Sequence, residues 1–156
     1  MAHFLVTGGA GFIGSHIAER LASQGHRVRV LDDFSTGNLD NLANVQSHVE
    51  ILQGSILSKE DLATAMKRAD YILHQAALPS VTRSIENPQK SLEVNSLGTL
   101  NVLEAALQAR VKRVVVASSS SVYGENTRLP KDESMEPMPI SPYAASKLAA
   151  EHLAYV

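Results

Sequence analysis

The sequence predicts an α/β fold built on a doubly wound parallel sheet of five strands in the order 3-2-1-4-5. Three observations predict it. Short β-branched runs alternate with longer helical patterns, a glycine-rich turn follows the first run, and an acidic residue ends the second. Strands that alternate with helices form a parallel sheet covered on both faces, and right-handed crossovers favour this strand order.

Each predicted strand is a short, mainly apolar run bounded by turn or helix signals. The runs are HFLVT from His3, RVRVLDD from Arg27, SHVEILQGS from Ser47, DYILHQAA from Asp70 and VKRVVVASSSS from Val111.

Helical patterns follow the first, third, fourth and fifth of these strands. Apolar residues at four-residue spacing from Ile13 to Leu21 predict a helix that stops at Gly25. The next helix is capped by Ser58. A long helix begins at Pro88, a favoured first-turn residue. The terminal segment SPYAASKLAAEHLAYV predicts the last helix.

Composition excludes several classes of protein. The chain has 156 residues, of which 44% are hydrophobic and 19% charged, which is typical of a globular domain. A net charge of -2 without a basic block argues against a nucleic-acid partner. No cysteine is present, and the histidines lack paired metal-ligand spacing, so neither disulfides nor a metal site are expected. The sequence shows no membrane span or secretory signal, so we expect no membrane partner and a cytoplasmic location.

The turn VTGGAGFIG places Gly8, Gly11 and Gly14 at three-residue spacing between a strand and a helix. Glycines let the backbone approach a pyrophosphate, and the helix N-terminus offers N–H groups to it. Asp32 ends the second strand, where a carboxylate can accept hydrogen bonds from a ribose 2′-OH. No arginine follows within DDFSTG to hold a 2′-phosphate, which favours NAD over NADP. The alternative is a tight turn whose glycines serve packing alone.

Tyr143 and Lys147 are four residues apart on the terminal helix, so they share one face. A free tyrosine has a pKa of ~10 and is a poor base at neutral pH. A cation within ~4–6 Å favours the phenolate and makes proton transfer possible. The alternative is an exposed helix pair without catalytic function.

The glycine turn, Asp32, SSSSVYG and the Tyr143-x-x-x-Lys147 pair occur in one order along the chain. In this combination the sequence resembles the extended short-chain dehydrogenase/reductases. Within them it is similar to NAD-dependent nucleotide-sugar epimerases of the UDP-hexose 4-epimerase type. The resemblance covers the whole chain and implies a Rossmann-type fold with NAD as cofactor.

The resemblance implies a role for each matching residue. Tyr143 would be the general base and acid, Lys147 would hold the nicotinamide ribose and assist the tyrosine, and Ser119 would hydrogen-bond the reacting sugar hydroxyl. Asn95 would tie the long helix to the active-site region and stand among the cofactor-binding residues. Further cofactor contacts are implied for Phe12, Ile13, Asp33, Phe34, Ser35, Thr36, Gly37, Ser55, Ile56, Gln75, Ala76 and Ala77.

The implied reaction oxidises the sugar at C4, rotates the 4-keto sugar and returns the hydride to its other face. Related 4,6-dehydratases carry an Asp-Glu pair directly after the serine that matches Ser119, whereas this chain has Ser120 and Ser121. This difference favours an epimerase. In another departure, the family often has Gly-Asp-Ile after the third strand, where this chain has Gly54-Ser55-Ile56.

The family continues with a sixth strand and a substrate domain, so we expect residues 1–156 to be an incomplete NAD-binding domain with an exposed fifth strand. Such a chain would bind NAD, show little or no epimerase activity alone, and form a homodimer through the long helix and the Tyr143 helix. The alternatives are a non-catalytic NAD-binding module, a truncated or degenerate paralogue, and a dehydratase or dehydrogenase. The sequence does not name the sugar, although Ser80 and Ser84 could contact it.

Overall fold

The computed structural model describes residues 1–156 and contains one parallel sheet in the order β3-β2-β1-β4-β5, so the predicted order is confirmed. The strands are β1 (His3–Thr7), β2 (Arg27–Asp32), β3 (Val49–Gln53), β4 (Tyr71–His74) and β5 (Arg113–Val116). All neighbouring strands are parallel. Their carboxyl ends therefore lie along one edge of the sheet, where ligands bind in folds of this type.

The helices are α1 (Phe12–Ser23), α2 (Lys59–Ala65), α3 (Val81–Glu86), α4 (Pro88–Leu92), α5 (Gly98–Gln108) and α6 (Pro142–Tyr155). Short 3₁₀ turns cover Leu39–Leu42 and Ser120–Tyr123. Two predicted signals are confirmed: the Ser58 side chain accepts a hydrogen bond from the Asp61 N–H at the start of α2, and Gly25 has a φ of 79° just after α1.

The helix predicted to run unbroken from Pro88 contains a π-helical segment, Glu93–Leu97, between α4 and α5. A π turn widens the helix by one residue, and the hydrophobic period is too coarse to show it. The six-residue helix α3 was also not predicted, because so short a helix has no measurable periodicity.

The sheet buries side chains on both of its faces. Val6, Val28 and Val30 form a buried cluster with Ala18 of α1. Successive side chains of a strand point to opposite faces, so the buried Leu5 belongs to the other face. Coverage on both faces is what a parallel sheet requires.

The chain divides into two units. The first comprises Met1–Ala77 and Asn101–Ala117 and contains the sheet, α1 and α2. The second comprises Leu78–Leu100 and Ser118–Val156 and contains α3, α4, the π-helical segment and α6. Neither unit has a helix with the length and apolar character needed to cross a membrane.

Candidate active site

In the first unit, the turn after β1 brings backbone segments so close together that a side chain would not fit. Gly8 has a φ of 66°, and a Cβ there would lie 2.6 Å from the backbone nitrogen of Ala76. A Cβ on Gly14 would lie 2.2 Å from the Gly8 carbonyl oxygen. The glycines therefore leave a cradle of bare backbone, which suits the close approach of a pyrophosphate.

Helix α1 begins directly after this turn. Gly11 occupies its N-cap position, and no side chain caps the helix. The side chains of Phe12 and Ile13 are exposed at the first turn. The first N–H groups and the positive end of the helix dipole can therefore bind an anion.

Asp32 lies at the carboxyl end of β2 and is only 8% exposed. Its Oδ2 accepts a hydrogen bond of 2.9 Å from the Ala10 N–H, and its Oδ1 accepts one of 2.9 Å from the Phe34 N–H. The carboxylate thus connects the glycine turn to the loop after β2. A carboxylate has about four lone-pair sites, so acceptor capacity remains for ribose hydroxyls.

The loop after Asp32 has its own local hydrogen bonds. The Asp33 Oδ1 accepts bonds from the N–H and the hydroxyl of Ser35, at 2.9 and 2.6 Å. Phe34 has a φ of 57°, and a Cβ on Gly37 would lie 2.9 Å from Asp32 Oδ1. This loop, which includes the exposed Thr36, therefore packs directly against the Asp32 carboxylate.

After β3, the carboxylate of Asp61 is a contact that sequence reasoning missed. The Ser55 N–H donates to Asp61 Oδ2 at 2.9 Å, and the Ser55 hydroxyl accepts from the Leu57 N–H at 3.2 Å. Ile56 is buried. The backbone N–H of Ser55 is thus already used within the protein. The Ser58-x-x-Asp61 spacing, a capping-box pattern, is the signal that could have drawn attention to Asp61.

The segment Gln75–Ala77 follows β4 beside the glycine turn. The Gln75 N–H donates to the Thr7 carbonyl at 3.0 Å, which extends the pairing of β1 with β4. The backbone of Ala76 faces Gly8. The first unit therefore contains the predicted cofactor residues other than Asn95, Tyr143 and Lys147, which lie in the second unit.

In the second unit, α6 carries the tyrosine and the lysine. The Ser141 side chain caps this helix by accepting a hydrogen bond from the Ala144 N–H, and Pro142 is its first residue. Tyr143 is partly buried and Lys147 is only 7% exposed. Residues four apart on a helix are neighbours on its surface, so the two side chains start from one face.

Burial lowers the pKa of Lys147 from its usual value of 10.5, and the negative charge of Glu151 partly opposes this effect. Glu151 lies one turn further along α6 and accepts a hydrogen bond from the Ser118 hydroxyl. The lysine charge is therefore held in a poorly solvated position beside one carboxylate. A poorly solvated cation interacts more strongly with a nearby phenolate than a solvated one does, and so favours the charged form of a tyrosine.

We expect Lys147→Met to be more stable than the natural chain at neutral pH. The folded-state pKa lies below 10.5, so the unfolded chain binds more protons in the alkaline range and stability rises with pH there. The stability gap between the variant and the natural chain should therefore narrow as the pH approaches 10.5. The denaturant midpoints of the two proteins, compared from neutral to alkaline pH, measure this difference in stability. Lys59→Met, at an exposed position, is the control. A less stable variant whose deficit is independent of pH would refute this expectation.

Ser119 is the N-cap of the 3₁₀ turn Ser120–Tyr123, against which α6 packs. Its Oγ accepts hydrogen bonds from the Ser121 N–H at 3.2 Å and from the Ser121 hydroxyl at 2.8 Å. A hydroxyl has two acceptor positions and one donor. With both acceptor positions occupied, the Ser119 proton is the group left for a further partner.

Asn95 lies in the π-helical segment and is only 1% exposed. Its Oδ1 accepts from the Leu78 N–H at 2.7 Å, and its Nδ2 donates to the Leu78 carbonyl at 3.2 Å and to Ser146 Oγ at 3.0 Å. Asn95 thus joins the long helix to α6. It has no remaining side-chain group on the protein surface.

The expectation that Ser84 could contact a sugar is wrong. Ser84 is 2% exposed, its hydroxyl donates to the Val81 carbonyl at 2.7 Å, and it accepts from the Tyr143 N–H at 3.0 Å. Ser80 is partly exposed, has a φ of 127° and accepts a hydrogen bond from the Arg83 N–H. Its direct role is to cap α3.

Comparison with known proteins places these features in a family. The model of the NAD dependent epimerase/dehydratase family matches residues 4–155. UDP-glucose 4-epimerase from Mycolicibacterium smegmatis is 41% identical over 151 residues, which cover 94% of this chain and 48% of that protein.

Two solved structures are similarly close. UDP-glucose 4-epimerase from Thermus thermophilus, in complex with NAD, is 45% identical with a TM-score of 0.90 over 96% of this chain and 49% of that one. A dTDP-glucose 4,6-dehydratase from Streptomyces venezuelae with NAD bound is 38% identical with a TM-score of 0.91 over 97% of this chain and 50% of that one. The chain spans about half the length of the relatives that it matches.

Proposed function

Since the chain belongs to the NAD dependent epimerase/dehydratase family, we propose that it binds NAD and carries the proton-transfer residues of a UDP-hexose 4-epimerase. The observation that carries this proposal is the pair Tyr143 and Lys147 on one helix, with serines at positions 120 and 121 where the dehydratases have acids. Relatives named UDP-glucose 4-epimerase support the same substrate class.

The first unit would hold the cofactor. The bare backbone around Gly8 and Gly14 and the uncapped start of α1 suit the pyrophosphate, and Asp32 keeps lone pairs for the adenosine ribose. The chemistry that NAD supplies when bound is reversible hydride transfer at the sugar C4, which leaves the cofactor unchanged. At the position of Ser55, the usual family carboxylate is replaced by a serine whose N–H is held by Asp61.

The second unit would move the proton. The Tyr143 phenolate takes the proton of the C4 hydroxyl as the 4-keto sugar forms, and the phenol returns it when the opposite configuration is made. Ser119 donates its remaining hydrogen bond to the C4 oxygen. The Lys147 cation would stabilise the phenolate, and membership of the family implies that it would hold the nicotinamide ribose.

A dehydratase is the second candidate, because a dTDP-glucose 4,6-dehydratase is also a close structural relative. Elimination of water needs an acid and a base beside the sugar ring. Ser120 and Ser121 offer neither at neutral pH. The epimerase reaction needs no such pair and is therefore the better fit.

We also propose that the chain forms a homodimer through the long helix and α6. Leu92 and Leu97 support this, because they are apolar residues on the long helix with exposed fractions of 44% and 49%. Sedimentation velocity tests the proposal, and a strictly monomeric chain at micromolar concentration would contradict it.

The function is tested by incubating the chain with NAD and either UDP-glucose or UDP-galactose and separating the products. Conversion that is lost in Tyr143→Phe would support the proposed chemistry. NAD binding without conversion of these or other UDP-hexoses would favour the alternative of an NAD-binding module. Conversion that persists in Tyr143→Phe would refute the role of the tyrosine. Tyr155→Phe, at an exposed position on the same helix, is the matched control.

A further inference from the structure

The backbone of Tyr143 is held at the first turn of α6 by hydrogen bonds to two serine side chains. The first N–H groups of a helix have no acceptor within the helix. Here the Ala144 N–H donates to the Ser141 hydroxyl at 3.1 Å, and the Ala145 N–H donates to the Ser141 carbonyl at 2.9 Å. The Tyr143 N–H instead donates to Ser84 Oγ at 3.0 Å, on another helix 59 residues away in sequence.

Ser84 is itself firmly held. It is 2% exposed, and its hydroxyl donates to the Val81 carbonyl of its own helix at 2.7 Å. Ser80 is the N-cap of helix α3, and its φ of 127° is rare for a residue other than glycine. The Ser80 hydroxyl accepts from the Arg83 N–H at 3.2 Å, which fixes the start of α3. The acceptor of the Tyr143 N–H therefore has one defined direction.

The carbonyl of Tyr143 is held as well. It accepts from the Ser146 hydroxyl at 2.7 Å, and Ser146 in turn accepts from Asn95 Nδ2 at 3.0 Å. Asn95 exchanges two hydrogen bonds with the peptide groups of Leu78. Leu78 precedes α3, which carries Ser84. These hydrogen bonds form a closed network: Ser84 of α3 bonds Tyr143, Tyr143 bonds Ser146, and Asn95 of the long helix bonds both Ser146 and Leu78, which precedes α3.

We propose that Ser84 is a positioning residue for Tyr143, and this inference rests on the proposed function of the tyrosine as the proton-transfer group. The first turn is the part of a helix that frays most easily. If the helix frayed at Tyr143, its side chain would no longer lie on the same helix face as Lys147, because residues four apart are neighbours only while both are helical. The Ser84 hydrogen bond keeps the turn closed and thereby keeps the phenol in one place.

The test compares Ser84→Ala with Thr99→Val in the 156-residue chain without ligand. Thr99 is also buried, and its hydroxyl donates to the Asn95 carbonyl, so its loss removes a buried hydroxyl without touching the Tyr143 peptide. Two readouts are used. The first is the hydrogen-exchange rate of the Tyr143 amide by NMR. The second is the ¹⁹F resonance of Tyr143 in protein labelled with 3-fluorotyrosine, identified by its absence in Tyr143→Phe.

We expect Ser84→Ala to raise the Tyr143 exchange rate about tenfold, as loss of one buried hydrogen bond implies. We also expect its ¹⁹F resonance to move toward that of unstructured fluorotyrosine. Thr99→Val should leave the exchange rate and the ¹⁹F resonance of Tyr143 unchanged. Ser84→Thr, which keeps the hydroxyl, should also leave both at their values in the natural chain. If Ser84→Ala does not fold, Ser84→Cys, with a weak acceptor of similar size, is read in the same way.

Three results would overturn the inference. Unchanged exchange would mean that Ser84 does not hold the turn. Faster exchange with an unmoved ¹⁹F resonance would make Ser84 a helix cap alone. Equal effects of Thr99→Val would indicate general loosening. Failure of the proposed function is recognised separately, because UDP-hexose conversion that persists in Tyr143→Phe would remove the proton-transfer role from the tyrosine whatever the outcome at Ser84.

Discussion

Replacement of Gly14 by alanine is expected to destabilise the chain by about 3 kcal/mol, because the added methyl group cannot be accommodated. Its Cβ would lie 2.2 Å from the Gly8 carbonyl oxygen and 2.7 Å from the Gly9 Cα. Both are backbone atoms of the same tight turn, so relief requires the turn to move away from α1. A displaced turn would also lose the cradle for the pyrophosphate, and NAD binding should be abolished.

Gly11→Ala is the matched control for this prediction. Its Cβ would meet only the Gly8 carbonyl oxygen at 3.3 Å, and the φ of -75° at Gly11 suits any residue. We expect a stability loss of about 1 kcal/mol or less, because the Gly8 oxygen needs to shift only slightly and alanine is less favourable than glycine at an N-cap. Urea denaturation measures both variants. Similar stability losses in the two, or a Gly14→Ala variant as stable as the natural chain, would show that the turn is less tightly packed than described.

Asp32→Ala is expected to lose about 3 kcal/mol of stability and to bind NAD about tenfold more weakly or worse. The loss of stability follows because the N–H groups of Ala10 and Phe34 both donate to this carboxylate. Without it, two buried or partly buried donors lose a charged acceptor. The loss of affinity follows because the ribose hydroxyls would lose their acceptor.

Asp33→Ala provides the comparison, since Asp33 is exposed and its carboxylate bonds only to Ser35. We expect this variant to lose about 1 kcal/mol at most, the usual net value of a solvent-accessible hydrogen bond. Urea denaturation and calorimetric titration with NAD would be run on both. An Asp32→Ala variant that keeps its NAD affinity would remove Asp32 from the proposed cofactor site, even if its stability falls.

The strands, their order and most helix boundaries could be predicted because their signals are local. Ser58 directly precedes α2, and its side chain accepts a hydrogen bond from the Asp61 N–H. Gly25 has the positive φ that ends α1. The strand order follows from the handedness of crossovers rather than from any single residue. The glycine turn is predictable because the three-residue spacing of its glycines is itself a local signal, although its contact with Ala76 joins distant parts of the sequence.

The supporting contacts of the candidate site could not be predicted, because they join residues that are far apart in sequence. Ser84 bonds the Tyr143 backbone across 59 positions, and Asn95 bonds Ser146 across 51. Serines are frequent and their partners are set by packing, so no spacing rule points to them. The resemblance indicated that Asn95 ties its helix to a neighbour, but the π-helical segment that contains it leaves no signal in the hydrophobic pattern.

The central claim is that this chain provides an NAD site built on the glycine turn and Asp32. Isothermal titration of the purified 156-residue chain with NAD, and in parallel with NADP, tests it most directly. We predict saturable NAD binding and, because the Asp32 carboxylate repels a 2′-phosphate, NADP binding weaker by about tenfold or more. Absence of NAD binding by a folded chain, or equal affinity for NADP, would contradict the account.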